Sequence, residues 1–152
     1  MILWIDADAC PRPIKQVVYR ASQRLGIPVR LVTNLNMRPP GLPLVSLVRV
    51  EAGFDVADSH IVENAAPEDI VITADVPLAA EVVKKGSVAI NPRGGLYDAE
   101  SIGERLQVRN MLMEMRDKGE TIRGPAPFRP ADTQKFAAAL DRILMRRRNA
   151  LA

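Results

Sequence analysis

Short apolar runs that end in acids or turn-forming residues recur along the chain and predict its strands. The first run is followed directly by Asp6, and the fourth reaches Thr73 shortly before Asp75. Continuous apolar runs of this kind are typical of parallel strands that are buried on both faces. The pattern predicts five strands, at residues 2–5, 29–33, 44–50, 70–73 and 88–90.

Apolar residues at helical spacing predict helices that alternate with these strands. The first helix begins near Pro13 and ends at Gly26. Asp55 is predicted to be the N-cap of the second helix, and Gly86 ends the third. The later helices are predicted at residues 55–66, 76–85, 99–118 and 130–148.

The order of these elements predicts an α/β fold with three layers, α/β/α, around a mostly parallel sheet of about five strands. Loops are expected at residues 34–43, which contain three prolines and a glycine, at residues 91–98, and around residues 124–127. The 152 residues suit a single domain. The last two helices, about residues 99–148, are expected to pack on this domain or to extend it.

Composition excludes several classes of protein. Apolar residues make up 47% of the chain and charged residues 26%, so disordered and membrane proteins fit poorly. No apolar run approaches the roughly 18 residues of a membrane span, and the first run is too short for a signal peptide. We therefore expect a cytoplasmic protein with no membrane partner. The single cysteine, Cys10, excludes an internal disulfide framework and a multi-cysteine zinc site.

The charge distribution leaves two interpretations open. The net charge is +3, and basic residues gather near the end of the chain. This cluster either contacts phosphates, as in a protein that binds nucleic acid, or forms the solvated face of a terminal helix. Its members are Lys135, Arg142, Arg146, Arg147 and Arg148.

Acids follow two of the predicted strands and open one of the helices. Asp6 and Asp8 come directly after the first strand, Asp75 follows the fourth, and Asp58 lies in the first turns of the helix before it. Strand ends and helix starts share one edge of an open parallel sheet, where ligands usually bind. The four carboxylates are therefore expected to converge. For each acid alone, a turn or a helix cap is an alternative, most clearly for Asp55 and also for Asp75.

Converging carboxylates predict a divalent-metal site. Their mutual repulsion is relieved by a hard cation, and a set of oxygen ligands suits Mg²⁺ or Mn²⁺. The only histidine is His60, so a site rich in nitrogen ligands is not available. Metal-assisted attack of water on a phosphodiester is the chemistry that such a site favours.

Four residues at the same edge are candidates for contact with a substrate phosphate. Lys15 lies one turn into the first helix and either holds a phosphate or pairs with Asp8. Asn34 ends the second strand, and Asn91 and Arg93 follow the fifth.

Five segments in order along the chain stand out: residues 6–11 (DADACP), 53–58 (GFDVAD), 73–79 (TADVPLA), 91–94 (NPRG) and 124–128 (GPAPF). Together they resemble the YaiI/YqxD family of uncharacterised bacterial proteins. That family resembles a branch of the PIN-like nuclease superfamily, which implies a single PIN-like domain over residues 1–152 and cleavage of nucleic acid, RNA more than DNA. The resemblance implies that Asp6, Asp58 and Asp75 are metal ligands, directly or through water.

The chain departs from the PIN pattern in one respect. PIN nucleases usually carry a further acid on a helix between the first strand and the Asp58-type helix, where this chain has a proline-rich loop and a strand. Either Asp8 or Asp55 replaces that acid, or the site is altered.

Three functions remain open at this point. The first is a nuclease that depends on Mg²⁺ or Mn²⁺, with Asp6, Asp8, Asp58, Asp75 and Lys15 as the catalytic set. The second is an aspartate-nucleophile phosphatase of the haloacid-dehalogenase type. Its first motif is imitated by Asp6 and Asp8, with Thr33 as a hydroxyl partner, but its late pair of acids is missing. The third is a nucleic-acid-binding module without catalysis.

Overall fold

The computed structural model describes residues 1–53, 55–120 and 126–151 of the chain. In these ranges a central sheet is flanked by helices, and a short 3-10 turn at Ala7–Ala9 follows the first strand. The strands are β1 (Leu3–Asp6), β2 (Val29–Thr33), β3 (Val45–Arg49), β4 (Ile70–Ile72), β5 (Val88–Ile90) and β6 (Leu96–Tyr97). The helices are α1 (Arg12–Leu25), α2 (Val56–Asn64), α3 (Val76–Lys84), α4 (Ile102–Asp117) and α5 (Pro130–Leu151).

The sheet has six strands in the order β3-β2-β1-β4-β5-β6. The first five of these are parallel, and β6 pairs antiparallel with β5. The predicted α/β fold with a mostly parallel sheet is therefore confirmed, and the predicted number of about five strands is corrected to six. The additional strand arises because the chain turns back after Asn91, whose N–H donates to the Gly95 carbonyl at 2.7 Å.

The two faces of the sheet carry separate apolar cores. Side chains alternate along each strand, so that Leu3 and Ile5 of β1 face one way and Trp4 faces the other. The first face packs against α1 and α5. The second packs against α2 and α3. Because both faces are covered, functional groups are available mainly at the edges where the strands end.

Local backbone chemistry explains the end of α1 and the start of α3. Gly26 ends α1 in the left-handed conformation with φ 68°. Asp75 is the predicted N-cap of α3, and its Oδ1 accepts from the Leu78 N–H at 3.0 Å. Asp55 occupies the predicted N-cap position of α2, but its side chain does not cap the helix. Asp55 has φ 60° and its side chain makes no cap hydrogen bond, because the chain enters α2 through a tight left-handed turn.

The last two helices occupy different layers. α5 packs on the sheet beside α1, whereas α4 packs on the outside of α3 and has no fully buried residue. Residues 124 and 125 of the predicted connection between them, and Phe54 of the second motif, lie outside the described residues. Within those residues, no helix combines the length and apolarity required to cross a bilayer.

A buried carboxylate joins the start of β1 to the turn before β4. Asp69 is only 2% exposed. It accepts from the Trp4 indole N–H at 2.9 Å, from the Ile2 N–H at 2.8 Å and from the Ala66 N–H at 2.9 Å. These three donors satisfy the carboxylate inside the protein and tie two neighbouring central strands together.

Candidate metal centre

Asp6 and Asp75 lie at the ends of neighbouring central strands and are linked by one hydroxyl group. Asp6 is the last residue of β1 and is 9% exposed. The buried Thr73 hydroxyl donates to Asp6 Oδ2 at 3.1 Å, and its oxygen accepts from the Asp75 N–H at 2.9 Å. Thr73 thus holds the two acids in register. Sequence reasoning did not select it as a site residue, although the Thr-x-Asp pattern after β4 was visible.

Asp58 of α2 completes a group of three interacting acids. Burial and the nearby charges of Asp75 and Asp6 raise the pKa of Asp58 to about 7, with a smaller contribution from Asp55. Burial also raises the pKa of Asp6, and the charges of Asp75 and Asp8 add to this effect, whereas the hydrogen bond from Thr73 opposes it. Asp6, Asp58 and Asp75 therefore share one electrostatic environment, as the sequence predicted. We call Asp6, Asp58 and Asp75 the acid cluster.

Asp8 lies beside the acid cluster but is held by β2. Its carboxylate accepts from the Thr33 hydroxyl and from the Asn34 N–H, the latter at 3.0 Å. Its side chain is exposed. Both oxygens are therefore engaged in joining the ends of β1 and β2. This arrangement favours a supporting role over direct replacement of the acid that PIN nucleases carry elsewhere.

The ion pair between Lys15 and Asp8, one of the two alternatives for Lys15, is not found. The described residues form two ion pairs, Arg24 with Asp141 and Arg93 with Asp132. Lys15 is half-buried near Cys10, and its charge lowers the pKa of the Cys10 thiol. Burial acts in the opposite direction and dominates, raising the pKa of Cys10 to about 12. The thiol is thus neutral at physiological pH and behaves as a packed residue.

The Thr33 hydroxyl, which the phosphatase hypothesis requires as a partner, is already engaged in hydrogen bonds within the fold. It is completely buried, donates to Asp8 and accepts from the Leu35 N–H at 2.9 Å. A hydroxyl with both functions occupied inside the fold is poorly placed to bind a substrate phosphate. This observation weighs against the phosphatase hypothesis.

Asn91 and Arg93, two of the candidate phosphate contacts, hold the loop after β5 together. The Asn91 side chain accepts from the Arg93 N–H at 2.8 Å and donates to the Tyr97 hydroxyl at 2.9 Å. The Arg93 guanidinium donates to the Ala126 carbonyl and to Asp132 Oδ2, the latter at 3.4 Å. These contacts assign both side chains a structural role at the start of α5 and do not favour the predicted phosphate contact. Asn34 is half-buried at the end of β2, where its backbone binds Asp8.

Gly94 allows this loop to approach α5 closely, which leads to a stability prediction. Gly94 has φ 92°, and a Cβ placed there would lie 2.9 Å from the backbone carbon and oxygen of Lys135. We expect Gly94→Ala to lower the free energy of unfolding by about 2–4 kcal/mol, because strain and overlap with a rigid backbone add together. Chemical denaturation measures this loss. Gly103→Ala in α4 is the control, since nothing lies within 4 Å of its added Cβ, and a similar loss in both variants would contradict the argument.

The donor set of the acid cluster suits a small hard cation that keeps part of its water shell. In the described ranges, no three His, Cys, Asp or Glu side chains form a ready-made ligand group. Mg²⁺ commonly binds one or two carboxylates directly and retains several waters. Asp6 and Asp75 with Asp58 nearby supply oxygen donors of this kind. His60 instead packs edge-on against Trp4, with ring centroids 6.0 Å apart.

The chain is similar to several bacterial proteins over nearly its whole length. It is 55% identical to the UPF0178 protein of Geobacter metallireducens over 146 residues, which cover 96% of this chain and 94% of that protein. It is 56% identical to the UPF0178 protein of Geobacter sulfurreducens over 147 residues, covering 96% and 97%. For the UPF0178 protein of Bordetella bronchiseptica the identity is 54% over 147 residues, covering 97% and 92%.

The family that the five sequence motifs resemble also matches this chain. No solved structure matches the chain. The family described as "Uncharacterized BCR, YaiI/YqxD family" matches residues 4–146, a range that includes the whole acid cluster. The chain therefore belongs to the YaiI/YqxD family, as its five motifs predict.

Proposed function

We propose that this protein is a nuclease that depends on Mg²⁺ or Mn²⁺ and hydrolyses phosphodiesters, RNA in preference to DNA. The observation that carries the proposal is the acid cluster at the ends of β1 and β4. Burial raises the pKa values of Asp6 and Asp58, and the charges of the neighbouring acids raise them further. None of the three forms an ion pair with a described residue. A bound cation removes this repulsion, which supports the cluster as a metal centre.

The acids of the cluster and Thr73 would have separate roles. Asp6 and Asp75 would hold the ion, with Thr73 fixing their relative position. Asp58 would release its proton when a cation binds, because the same charge that favours the carboxylate disfavours its protonated form. A bound divalent ion supplies the polarisation of a water molecule and of the phosphodiester.

Substrate contacts in this proposal come from groups at the same edge of the sheet. Lys15 lies in the first turns of α1, which begins shortly after Asp6. Its ammonium would contact a phosphate oxygen, and Asn34 would contact the neighbouring part of the substrate. Asp8 would keep Asn34 in place through the backbone bond of 3.0 Å. The preference for RNA rests on the resemblance to PIN-like nucleases, which stays an expectation.

The proposal predicts that cleavage requires both Asp6 and Asp75. We expect Asp6→Asn and Asp75→Asn each to reduce Mn²⁺-dependent cleavage of a labelled single-stranded RNA at least about a hundredfold, because loss of a ligand or its support weakens both metal binding and activity. Asn at position 75 retains an oxygen for the helix cap, so the fold should be preserved. Gel analysis of the products, with and without EDTA, measures the effect.

Glu68→Gln is the matched control, because Glu68 is an exposed acid in the turn before β4, away from the cluster. It should cleave like the unsubstituted protein. Full activity in both aspartate variants would refute the proposed function. RNA binding without cleavage in any metal would instead support the non-catalytic module, and a phosphorylated Asp6 would support the phosphatase.

A further inference from the structure

A groove runs along α4 and reaches the first residue of α3. It has a volume of about 840 Å³ and lies between the start of α3 and the length of α4. Val76 lines its near end and directly follows Asp75. Because Asp75 belongs to the acid cluster, the groove and the cluster share the N-terminal end of α3.

Positive charge dominates the charged residues of this groove. Arg105, Arg109 and Arg116 line it, and Glu104 is the only acid among its lining residues. Separations of four and seven residues place the three arginines near one face of α4, over a length of about 16 Å at the usual helical rise. None of them forms an ion pair with a described residue. Arg105 is held by Tyr97, with its guanidinium carbon 4.6 Å from the ring centroid.

Apolar side chains lie between these arginines. Val108, Leu112 and Met113 line the same groove. Val108 is 46% exposed and Met113 is 42% exposed. A surface that alternates positive groups with exposed apolar groups matches a strand with charged phosphates and unpaired bases. A duplex buries its base faces and offers no partner to the apolar side chains.

A second groove, which includes Asp58 of the acid cluster, has the opposite charge. It lies between α2 and α3, has a volume of about 380 Å³, and contains the four acids Asp55, Asp58, Glu63 and Glu81 without a basic residue. This second groove repels a phosphate backbone, whereas the α4 groove attracts it. The contrast gives a bound strand one favourable direction away from the cluster.

We propose that the α3–α4 groove binds the backbone of single-stranded nucleic acid, with Arg109 and Arg116 contacting phosphates. The direction of the strand, from the acid cluster along α4, rests on the proposed function. Binding of the strand in the groove does not rest on the proposed function, because it requires no metal and no cleavage. The two proposals can therefore fail separately.

The test measures binding of a fluorescently labelled oligouridine to the full chain in EDTA over a series of salt concentrations. The variant Arg109→Gln/Arg116→Gln should weaken the dependence of log K on log salt by about 1.4, at roughly 0.7 for each lost phosphate contact, which is about 25-fold in affinity near 0.1 M salt. Arg105 is left intact because it packs on Tyr97. The control, Arg20→Gln/Lys84→Gln, removes two positive charges from exposed positions outside the groove.

The outcomes separate the alternatives. A loss confined to the groove variant supports the inference, even if the protein never cleaves the oligonucleotide. Equal losses in both double variants would overturn it, because binding would then follow net charge alone. Absence of binding together with a dimer in analytical ultracentrifugation would also overturn it, since the apolar groups of α4 would then serve contact between two copies.

Discussion

Replacing Asp69 by alanine is expected to lower the free energy of unfolding by about 3–5 kcal/mol, a large part of the stability of a domain of this size. The carboxylate accepts three hydrogen bonds, from the Trp4 indole and from the backbone of Ile2 and Ala66. All three donors lose their partner in the variant. The indole and the 2% exposed aspartate site are too deeply buried for bulk water to replace the lost carboxylate fully. Denaturant unfolding followed by tryptophan fluorescence measures the change.

Two further variants make this prediction specific. Asp69→Asn keeps one acceptor oxygen and turns an NH₂ group towards a donor, so an intermediate loss is expected. Asp141→Ala removes an acid that pairs with Arg24 at the surface, 3.1 Å away, and exposed pairs contribute about 1 kcal/mol or less. Losses of equal size in Asp69→Ala and Asp141→Ala would show that the Asp69 network does not stabilise the fold.

The second large effect is a loss of folding stability with rising pH that depends on Asp58. The folded protein holds the Asp58 proton up to a pKa of about 7, against an ordinary value of 3.8. Between these values the folded state binds more protons than the unfolded state, so stability falls as pH rises. The destabilisation by Asp58 is absent below about 3.8 and complete above about 7. We therefore expect Asp58→Asn to melt at a higher temperature than the unsubstituted protein above pH 7 without metal, with the two curves converging in acid.

Addition of Mn²⁺ should reverse the order of the two proteins. The unsubstituted protein gains stability from the ion above pH 7, whereas Asp58→Asn gains little, because binding requires the charged carboxylate. Thermal melts in EDTA and in Mn²⁺ provide the comparison. Glu68→Gln is again the control and should follow the unsubstituted protein. Parallel pH profiles for Asp58→Asn and the unsubstituted protein would contradict both the raised pKa and its role in cation binding.

The layers of the fold were predictable because the core strands are short continuous apolar runs. Such runs indicate strands of a parallel sheet covered on both faces, and the structure has this arrangement around β1 and β4. β6 was not predicted because it has only two residues and its partner lies across a turn. The two glycines after Arg93 were the available signal for that turn, but two residues carry no recognisable period.

The convergence of Asp6, Asp58 and Asp75 was predictable from the order of the strands and helices, since strand ends and helix starts share one edge of a parallel sheet. The behaviour of their neighbours was not. Whether Asp8 faces the cluster or β2 depends on its hydrogen bonds with the Thr33 hydroxyl and the Asn34 N–H. Arg93 became part of the α5 contact because Asp132, distant in sequence, lies within reach of its guanidinium. Contacts of this kind depend on side-chain packing, which no local pattern encodes.

The position of α5 has a consequence for folding during synthesis. Every member of the acid cluster lies within the first 75 residues, whereas α5 begins at Pro130. α5 supplies Phe136, Leu140 and Leu144 to the core beneath the sheet. Until this helix leaves the ribosome, one apolar face of β1 and β4 is only partly covered, by α1. A nascent chain can thus carry all three acids of the cluster while the strands that position them are still exposed to aggregation.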